Sequence, residues 1–192
     1  MASVRVQEIT RGDLSAYAAI PNSFRVESVV AAGEIPLHVP GPSVPELPVA
    51  HPYEKQYARE DPMTWAMRYP LARWGLLGAF DGEALVGGAA VVTPQEGMVV
   101  PAGRTDVAVL WDLRVKPSHR GLGAGRMLIA EAAVWARERG FATLGIETQD
   151  VNAPACRLYA ACGCRLARVV DDGYAGAPDV AHEKLLVWHL PL

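Results

Sequence analysis

The apolar and polar positions of the chain follow two periods, one typical of strands and one typical of helices. Short apolar runs bounded by turn residues predict three strands, at Trp74–Phe80, Ala84–Thr93 and Val107–Val115. After Met127 the apolar residues recur at helical spacing, and Gly140 marks the end of that helix. The run Ala142–Thr148 follows, so we expect a strand parallel to the one before the helix.

The two ends of the chain complete this order. Ser3–Glu8 is predicted to be a short strand, and Thr10 is predicted to cap a helix that runs to Ile20. Toward the C-terminus the pattern predicts one helix and two strands, at Pro154–Cys162, Cys164–Val170 and Glu183–Leu190. This order favours an α/β fold with a mixed sheet, in a single domain of residues 1–192.

Prolines interrupt the pattern between residues 31 and 52. Six of them fall there, at Pro36, Pro40, Pro42, Pro45, Pro48 and Pro52. Proline cannot donate a backbone hydrogen bond, so we exclude a regular helix and expect a long loop rather than a central strand. Glu54–Tyr69 is then predicted to be a helix with a break at Asp61, and residues 74–190 form the core that carries the motifs.

Composition narrows the class of partner. The 192 residues are 51% apolar and carry a formal net charge of −3, which gives no basic surface for nucleic acid. No apolar run reaches the roughly 20 residues that a membrane span needs, and the N-terminus lacks the layout of a signal peptide, so we expect a cytoplasmic protein.

The three cysteines do not indicate a metal site. Cys156, Cys162 and Cys164 have no second cysteine pair or histidine pair at zinc spacing, so no metal is expected. Their odd number favours buried thiols over a redox role for the Cys162–Cys164 pair.

The clearest chemical signal lies between the strand at Val107–Val115 and the helix after it. Glycines 121, 123 and 125 let backbone N–H groups converge at a helix N-terminus, which is a site for pyrophosphate, and Arg120 and Arg126 add positive charge. A P-loop would need Lys-Ser or Lys-Thr after the last glycine, and a dinucleotide fingerprint would need Gly-x-Gly-x-x-Gly. Neither is present, and the pattern that remains is Arg-x-x-Gly-x-Gly.

This loop resembles the acetyl-CoA pyrophosphate loop of the GNAT N-acetyltransferase superfamily. A second motif supports the resemblance, because many members carry Glu, Asn, Ala and Tyr at the offsets of Glu147, Asn152, Ala155 and Tyr159. The resemblance covers about residues 74 to 190 and implies a central twisted sheet with flanking helices and a splayed parallel strand pair at its centre. It also implies that acetyl-CoA is the cosubstrate.

The resemblance implies direct transfer of an acetyl group from a thioester to an amine. The amine must lose a proton and the leaving thiolate must gain one, so a base and an acid are needed. We assign Glu147 as the base, with Asp112 as the alternative, and Tyr159 as the acid. A backbone N–H within Leu113–Val115 would stabilise the oxyanion. The residues expected to bind the cosubstrate are Leu113, Arg114, Val115, Arg120, Gly121, Leu122, Gly123, Ala124, Gly125, Arg126, Asn152, Ala155 and Tyr159.

Several short segments are similar to streptothricin acetyltransferases, which modify the β-amino group of a β-lysine moiety and so confer antibiotic resistance. They are Trp111–Val115, Glu147–Asn152, Pro154–Tyr159 and Gly163–Cys164. The similarity implies a small cationic amine as substrate, with a homodimer also open. Two alternatives stay open: a protein or peptide N-acetyltransferase, and a non-catalytic acyl-CoA-binding module.

Overall fold

The computed structural model describes residues 4–57, 61–95 and 98–192. Nine strands and four α-helices have defined bounds in this part of the chain. In chain order they are β1 (Arg5–Glu8), α1 (Leu14–Ala18), β2 (Ser23–Val30), β3 (Glu46–Gln56), α2 (Pro62–Arg68), β4 (Gly75–Asp81), β5 (Ala84–Val92), β6 (Val107–Val115), α3 (Ala124–Glu138), β7 (Thr143–Gln149), α4 (Ala153–Ala161), β8 (Arg165–Val170) and β9 (Leu185–Pro191). No helix among these described residues is long and apolar enough to cross a membrane.

The described residues group into two compact units. The first unit contains those up to Asn22, those from Gln56 to Leu144, and Leu192. The second contains Ser23–Lys55 and Gly145–Pro191, so β7 begins in the first unit and continues in the second.

The first unit is built on four antiparallel strands in the order β1-β4-β5-β6. The two strands predicted at Trp74–Phe80 and Ala84–Thr93 correspond to β4 and β5, which pair as an antiparallel hairpin joined through Gly82, whose φ is 60°. Strand β5 is buried at every position after Ala84, as expected for a strand covered on both faces. Helix α3 contributes to this core through Trp135, whose indole lies so close to Gly75 that a Cβ there would be 2.6 Å away.

Gly87 and Gly88, inside β5, predict a bulge or the close approach of another backbone. The bulge is present, whereas the group closest to Gly88 is a side chain. The register of β4 against β5 shifts opposite Gly87, between Ala79 and Phe80. At Gly88 a Cβ would lie 2.2 Å from the ring of Tyr17, so only glycine leaves room for that ring against the strand.

The second unit contains the last strands and a separate pair. Strands β7, β9 and β8 are neighbours in that order, with β8 and β9 antiparallel. Helix α4 begins with Pro154 in its first turn, as predicted, and Gly163 follows its end with a φ of 82°. Strands β2 and β3 form a two-stranded sheet of their own.

Two predictions for the middle of the chain are wrong. The loop expected up to Pro52 gives way to β3 at Glu46, and the helix expected from Glu54 gives way to the end of that strand. Helix α2 occupies only Pro62–Arg68, capped by Asp61, while residues 58–60 of the predicted helix lie outside the described part. Pro48 and Pro52 are tolerated because β3 pairs on one side only, as a strand of a two-stranded sheet.

The rest of the proline-rich segment runs along β8. The N–H of His38 donates to the carbonyl of Leu166 over 2.8 Å, and the N–H of Gly41 donates to that of Cys164 over 3.1 Å. Pro40 and Arg165 form an antiparallel bridge between these two bonds. The segment therefore covers an edge of β8 that would otherwise expose unpaired backbone groups.

Candidate active site

The glycine-rich loop has the open backbone that anion binding requires. Gly121 and Gly123 have φ values of 75° and 93°, a region that other residues rarely adopt. A Cβ added at either position would meet no atom within 4 Å. Gly123 is the N-cap of α3, and no side chain of the described residues caps that end of the helix. The loop is thus an uncovered turn in front of a helix N-terminus.

The amide donors of this turn find no backbone acceptor in the part of the chain that the structure describes. Across the described ranges, none of the backbone hydrogen bonds outside regular helices and strands is donated by an N–H of residues 121–126. Arg120 is fixed beside the turn, because its Nε donates to the carbonyl of Val115 over 3.0 Å. The donors and the positive end of the α3 dipole fit a pyrophosphate group.

Asp112 and Arg114 form a buried ion pair on β6. Nε and Nη2 of Arg114 each lie 2.8 Å from a carboxylate oxygen of Asp112, so the contact is bidentate. Tyr17 donates to Asp112 over 2.6 Å, and Asn22 donates over 3.4 Å. Nη1 of Arg114 donates to the carbonyl of Ile20 over 3.3 Å. Asp112, the alternative base, is therefore hydrogen-bonded to three side chains. The Arg114 guanidinium is buried in the first unit, where it binds Asp112 and the carbonyl of Ile20.

Strand β6 bulges next to this pair. The β5 residues Ala90 and Val91 face Asp112 and Leu110, which leaves Trp111 as an extra residue without an opposite partner. Its ring lies 5.9 Å from Trp74 and 5.7 Å from Tyr69. The bulge re-aims the backbone just before Leu113–Val115, the segment predicted to supply the oxyanion donor.

Glu147 lies on β7, and part of its side chain is exposed to solvent while neighbouring protein atoms surround the rest. Tyr174 donates its hydroxyl to Oε1 of Glu147 over 3.0 Å. Desolvation by surrounding protein atoms raises the pKa of Glu147, and the hydrogen bond from Tyr174 opposes that rise. A carboxylate with a raised pKa is better matched to accepting a proton near neutral pH. Sequence reasoning missed Tyr174, because this residue lies in the loop between β8 and β9, where no periodicity marks it.

The remaining motif residues begin or lie within α4. The side chain of Asn152 accepts from the N–H of Ala155 over 3.3 Å, so it caps the helix. Tyr159 is 6% exposed, with its ring 6.3 Å from that of Trp188. Ala155 is half-buried in the first turn. Asn152 thus has a structural role whether or not it also contacts the cosubstrate.

The cysteines were predicted to be buried, and two of the three are buried in the second unit. Cys156 and Cys164 are buried, and burial raises the pKa of each to about 12. Cys162 is half-buried. Thiols with such a pKa remain protonated and unreactive at neutral pH.

Comparison with known families agrees with this geometry. The model of the acetyltransferase (GNAT) family matches residues 44–164, more than half of the chain. The chain belongs to this family. The match includes the glycine-rich loop and the Glu147, Asn152, Ala155 and Tyr159 motif.

Among curated relatives, a streptothricin acetyltransferase of Escherichia coli is 37% identical over 84 residues, which is 44% of this chain and 48% of the relative. The chain therefore spans about half the length of the curated relatives it matches.

Solved structures are similar over the full length. A Bacillus anthracis protein assigned as a streptothricin acetyltransferase, solved with acetyl coenzyme A, gives a TM-score of 0.78 at 24% identity and 99% coverage of both chains. A nourseothricin acetyltransferase gives a TM-score of 0.73 at 28% identity, with 100% of this chain and 99% of that chain covered. The predicted α/β fold of the family, with its mixed sheet, is confirmed by these similarities.

Proposed function

We propose that this protein transfers an acetyl group from acetyl-CoA to a primary amine of a small cationic substrate, with streptothricin as the candidate acceptor. The observation that carries the proposal is the turn at Gly121–Gly123, in a chain of the GNAT family. Its amides donate to no backbone carbonyl of the described residues, and a Cβ at Gly121 or Gly123 would meet none of their atoms within 4 Å. The acceptor class rests on the relatives, which include a streptothricin and a nourseothricin acetyltransferase.

Residues of the first unit would hold the cosubstrate. The amides of residues 121–126 would donate to the pyrophosphate, with Arg120 and Arg126 nearby in the sequence to balance its charge. A backbone N–H of Leu113–Val115, just after the bulge at Trp111, would donate to the thioester oxygen as it gains negative charge. Asp112 would keep Arg114 and α1 in place rather than exchange protons, because Tyr17, Asn22 and Arg114 already bind its oxygens.

Residues of the second unit would move the protons. Glu147 would take a proton from the substrate ammonium, directly or through water, so that the amine can attack the thioester carbonyl. Tyr159 would give a proton to the departing sulfur, since an ordinary phenol is protonated at neutral pH. A homodimer and a cytoplasmic location stay predictions from the sequence.

A thiol-release assay tests the proposal and its alternatives together. The protein is mixed with acetyl-CoA and, in separate reactions, streptothricin, an aminoglycoside, a polyamine and peptides with free N-termini. We expect release with streptothricin together with an acetylated product, and a strong decrease with Glu147→Gln. Release with the peptides alone would instead indicate a protein N-acetyltransferase. Binding of acetyl-CoA without release from any acceptor would indicate a binding module.

A further inference from the structure

Tyr174 lies in the loop between β8 and β9 and contacts Glu147 through its hydroxyl. We infer that Tyr174 is a positioning residue for the proton-transfer step: its hydroxyl, 3.0 Å from Oε1, fixes the Glu147 carboxylate and leaves the second oxygen to take the proton from the substrate amine. This inference rests on the proposed function, because it assigns a role to a partner of the proposed base.

The backbone around Tyr174 is held in place from both sides. A Cβ at the neighbouring Gly173 would lie 2.5 Å from Cβ of Leu185, so the loop packs directly on β9. After Tyr174, its own carbonyl accepts from the N–H of Ala177 over 2.8 Å. Lys184 reaches back to Asp171 at the start of the loop over 2.6 Å. The hydroxyl is therefore presented by a folded turn, which is what a positioning role needs.

The hydrogen bond favours the ionised form of Glu147. A phenol donates to a carboxylate, so the bond stabilises the charged form, while desolvation favours the neutral form. The loop that carries Tyr174 also contains Asp171, Asp172 and Asp179, while Asp150 follows β7 and Lys184 precedes β9 in the chain. Of these, Asp150 accepts from the backbone N–H of Lys184, and Asp171 pairs with the Lys184 ammonium. Among the described residues, Tyr174 donates a hydrogen bond to the Glu147 carboxylate itself.

Removal of the Tyr174 hydroxyl should raise the pKa of Glu147. Without the hydrogen bond, the pKa of Glu147 rises further, so less of the base is ionised at low pH. In Tyr174→Phe the acidic limb of the kcat/KM profile should move to higher pH by about one unit, the shift expected for one hydrogen bond to a charged group. At pH values above the limb, the rate should recover to within about threefold of wild type, since the base is then ionised in both proteins.

The experiment measures kcat/KM against pH for wild type, Tyr174→Phe and Lys184→Met. The last variant removes the exposed ion pair with Asp171 but keeps the hydroxyl, so its limb should stay at the wild-type pH. If Tyr174 only supports the loop, Tyr174→Phe lowers the rate equally at all pH values and leaves the limb in place, which would overturn the inference. A carboxyl NMR titration of Glu147, assigned with Glu147→Gln, reports the same shift without turnover.

Failure of this inference is distinguishable from failure of the proposed function. If Glu147→Gln keeps the acidic limb, Glu147 is not the base and the proposed function loses that assignment. If Glu147→Gln loses the limb while Tyr174→Phe leaves both the limb and the NMR titration unmoved, only the role of Tyr174 is wrong.

Discussion

The phenolic hydroxyl of Tyr17 donates to Oδ2 of Asp112 over 2.6 Å, inside the first unit. Tyr17 is fully buried, and this burial together with the Asp112 carboxylate raises its pKa well above 10.0. The ring also lies 5.2 Å from the Arg114 guanidinium. One side chain of α1 thus stabilises both members of the buried ion pair on β6.

Tyr17→Phe should destabilise the protein. The ring and its packing against Gly88 stay, but a buried carboxylate oxygen loses a donor, so the free energy of unfolding should decrease by about 1–3 kcal/mol. Urea unfolding followed by fluorescence measures the change. Tyr53→Phe is the matched control, because Tyr53 is 40% exposed and should change stability by no more than about 0.5 kcal/mol. Equal losses in the two variants would show that the hydrogen bond to Asp112 contributes nothing.

Glu147→Gln should remove the acidic limb from the pH dependence of kcat/KM. A base acts only when ionised, so the wild-type rate should decrease as pH is lowered through the raised pKa of Glu147. Glutamine keeps the size of the side chain but cannot titrate, and we expect a rate at least about 100-fold lower that no longer depends on pH in this range.

Asp112→Asn separates the two candidate bases in the same experiment. It should destabilise the protein by about 3–5 kcal/mol, because the Arg114 charge is left buried and uncompensated, yet the protein that remains folded should keep the acidic limb. A limb that persists in Glu147→Gln and disappears in Asp112→Asn would transfer the role to Asp112.

Tyr159→Phe should lower kcat more than it changes KM for acetyl-CoA. The aromatic ring that packs near Trp188 stays, while the proposed proton donor for the leaving sulfur is lost. A decrease in kcat of about 100-fold with an acetyl-CoA dissociation constant within about threefold of wild type fits an acid that acts in the transition state. Unchanged turnover would remove this role from Tyr159.

The elements that could be predicted are those in which the pattern of apolar residues matches the pattern of buried positions. Strand β5 is buried along almost its whole length and reads as a continuous apolar run, and α3 keeps a buried stripe through Leu128, Ala132 and Trp135. Strand β3 could not be predicted in this way, since most of its side chains are exposed and two are prolines. Strand β2 is absent from the predicted elements, although Phe24 and Val26 are buried on alternate positions.

In the candidate site, too, some features could be predicted from the sequence and others could not. Glycines at 121 and 123 predict their own backbone conformation, because the residue type and the positive φ are directly linked. Partners of a side chain are set by tertiary contacts between distant segments, so the sequence revealed neither Tyr17 beside Asp112 nor Tyr174 beside Glu147. The Gly87–Gly88 pair predicts a bulge or the close approach of another backbone, whereas the group that approaches Gly88 is the ring of Tyr17.

The most direct test of the account is calorimetric titration of acetyl-CoA into wild type, Gly123→Val and Gly140→Val. Both glycines have positive φ with no atom within 4 Å of an added Cβ, but Gly123 begins α3 at the proposed pyrophosphate turn and Gly140 follows its end. Valine at either position should therefore strain the backbone to a similar extent, by about 1–2 kcal/mol. We predict a dissociation constant at least about tenfold higher for Gly123→Val and unchanged for Gly140→Val. Equal affinities in all three proteins would contradict the binding of coenzyme A by this turn.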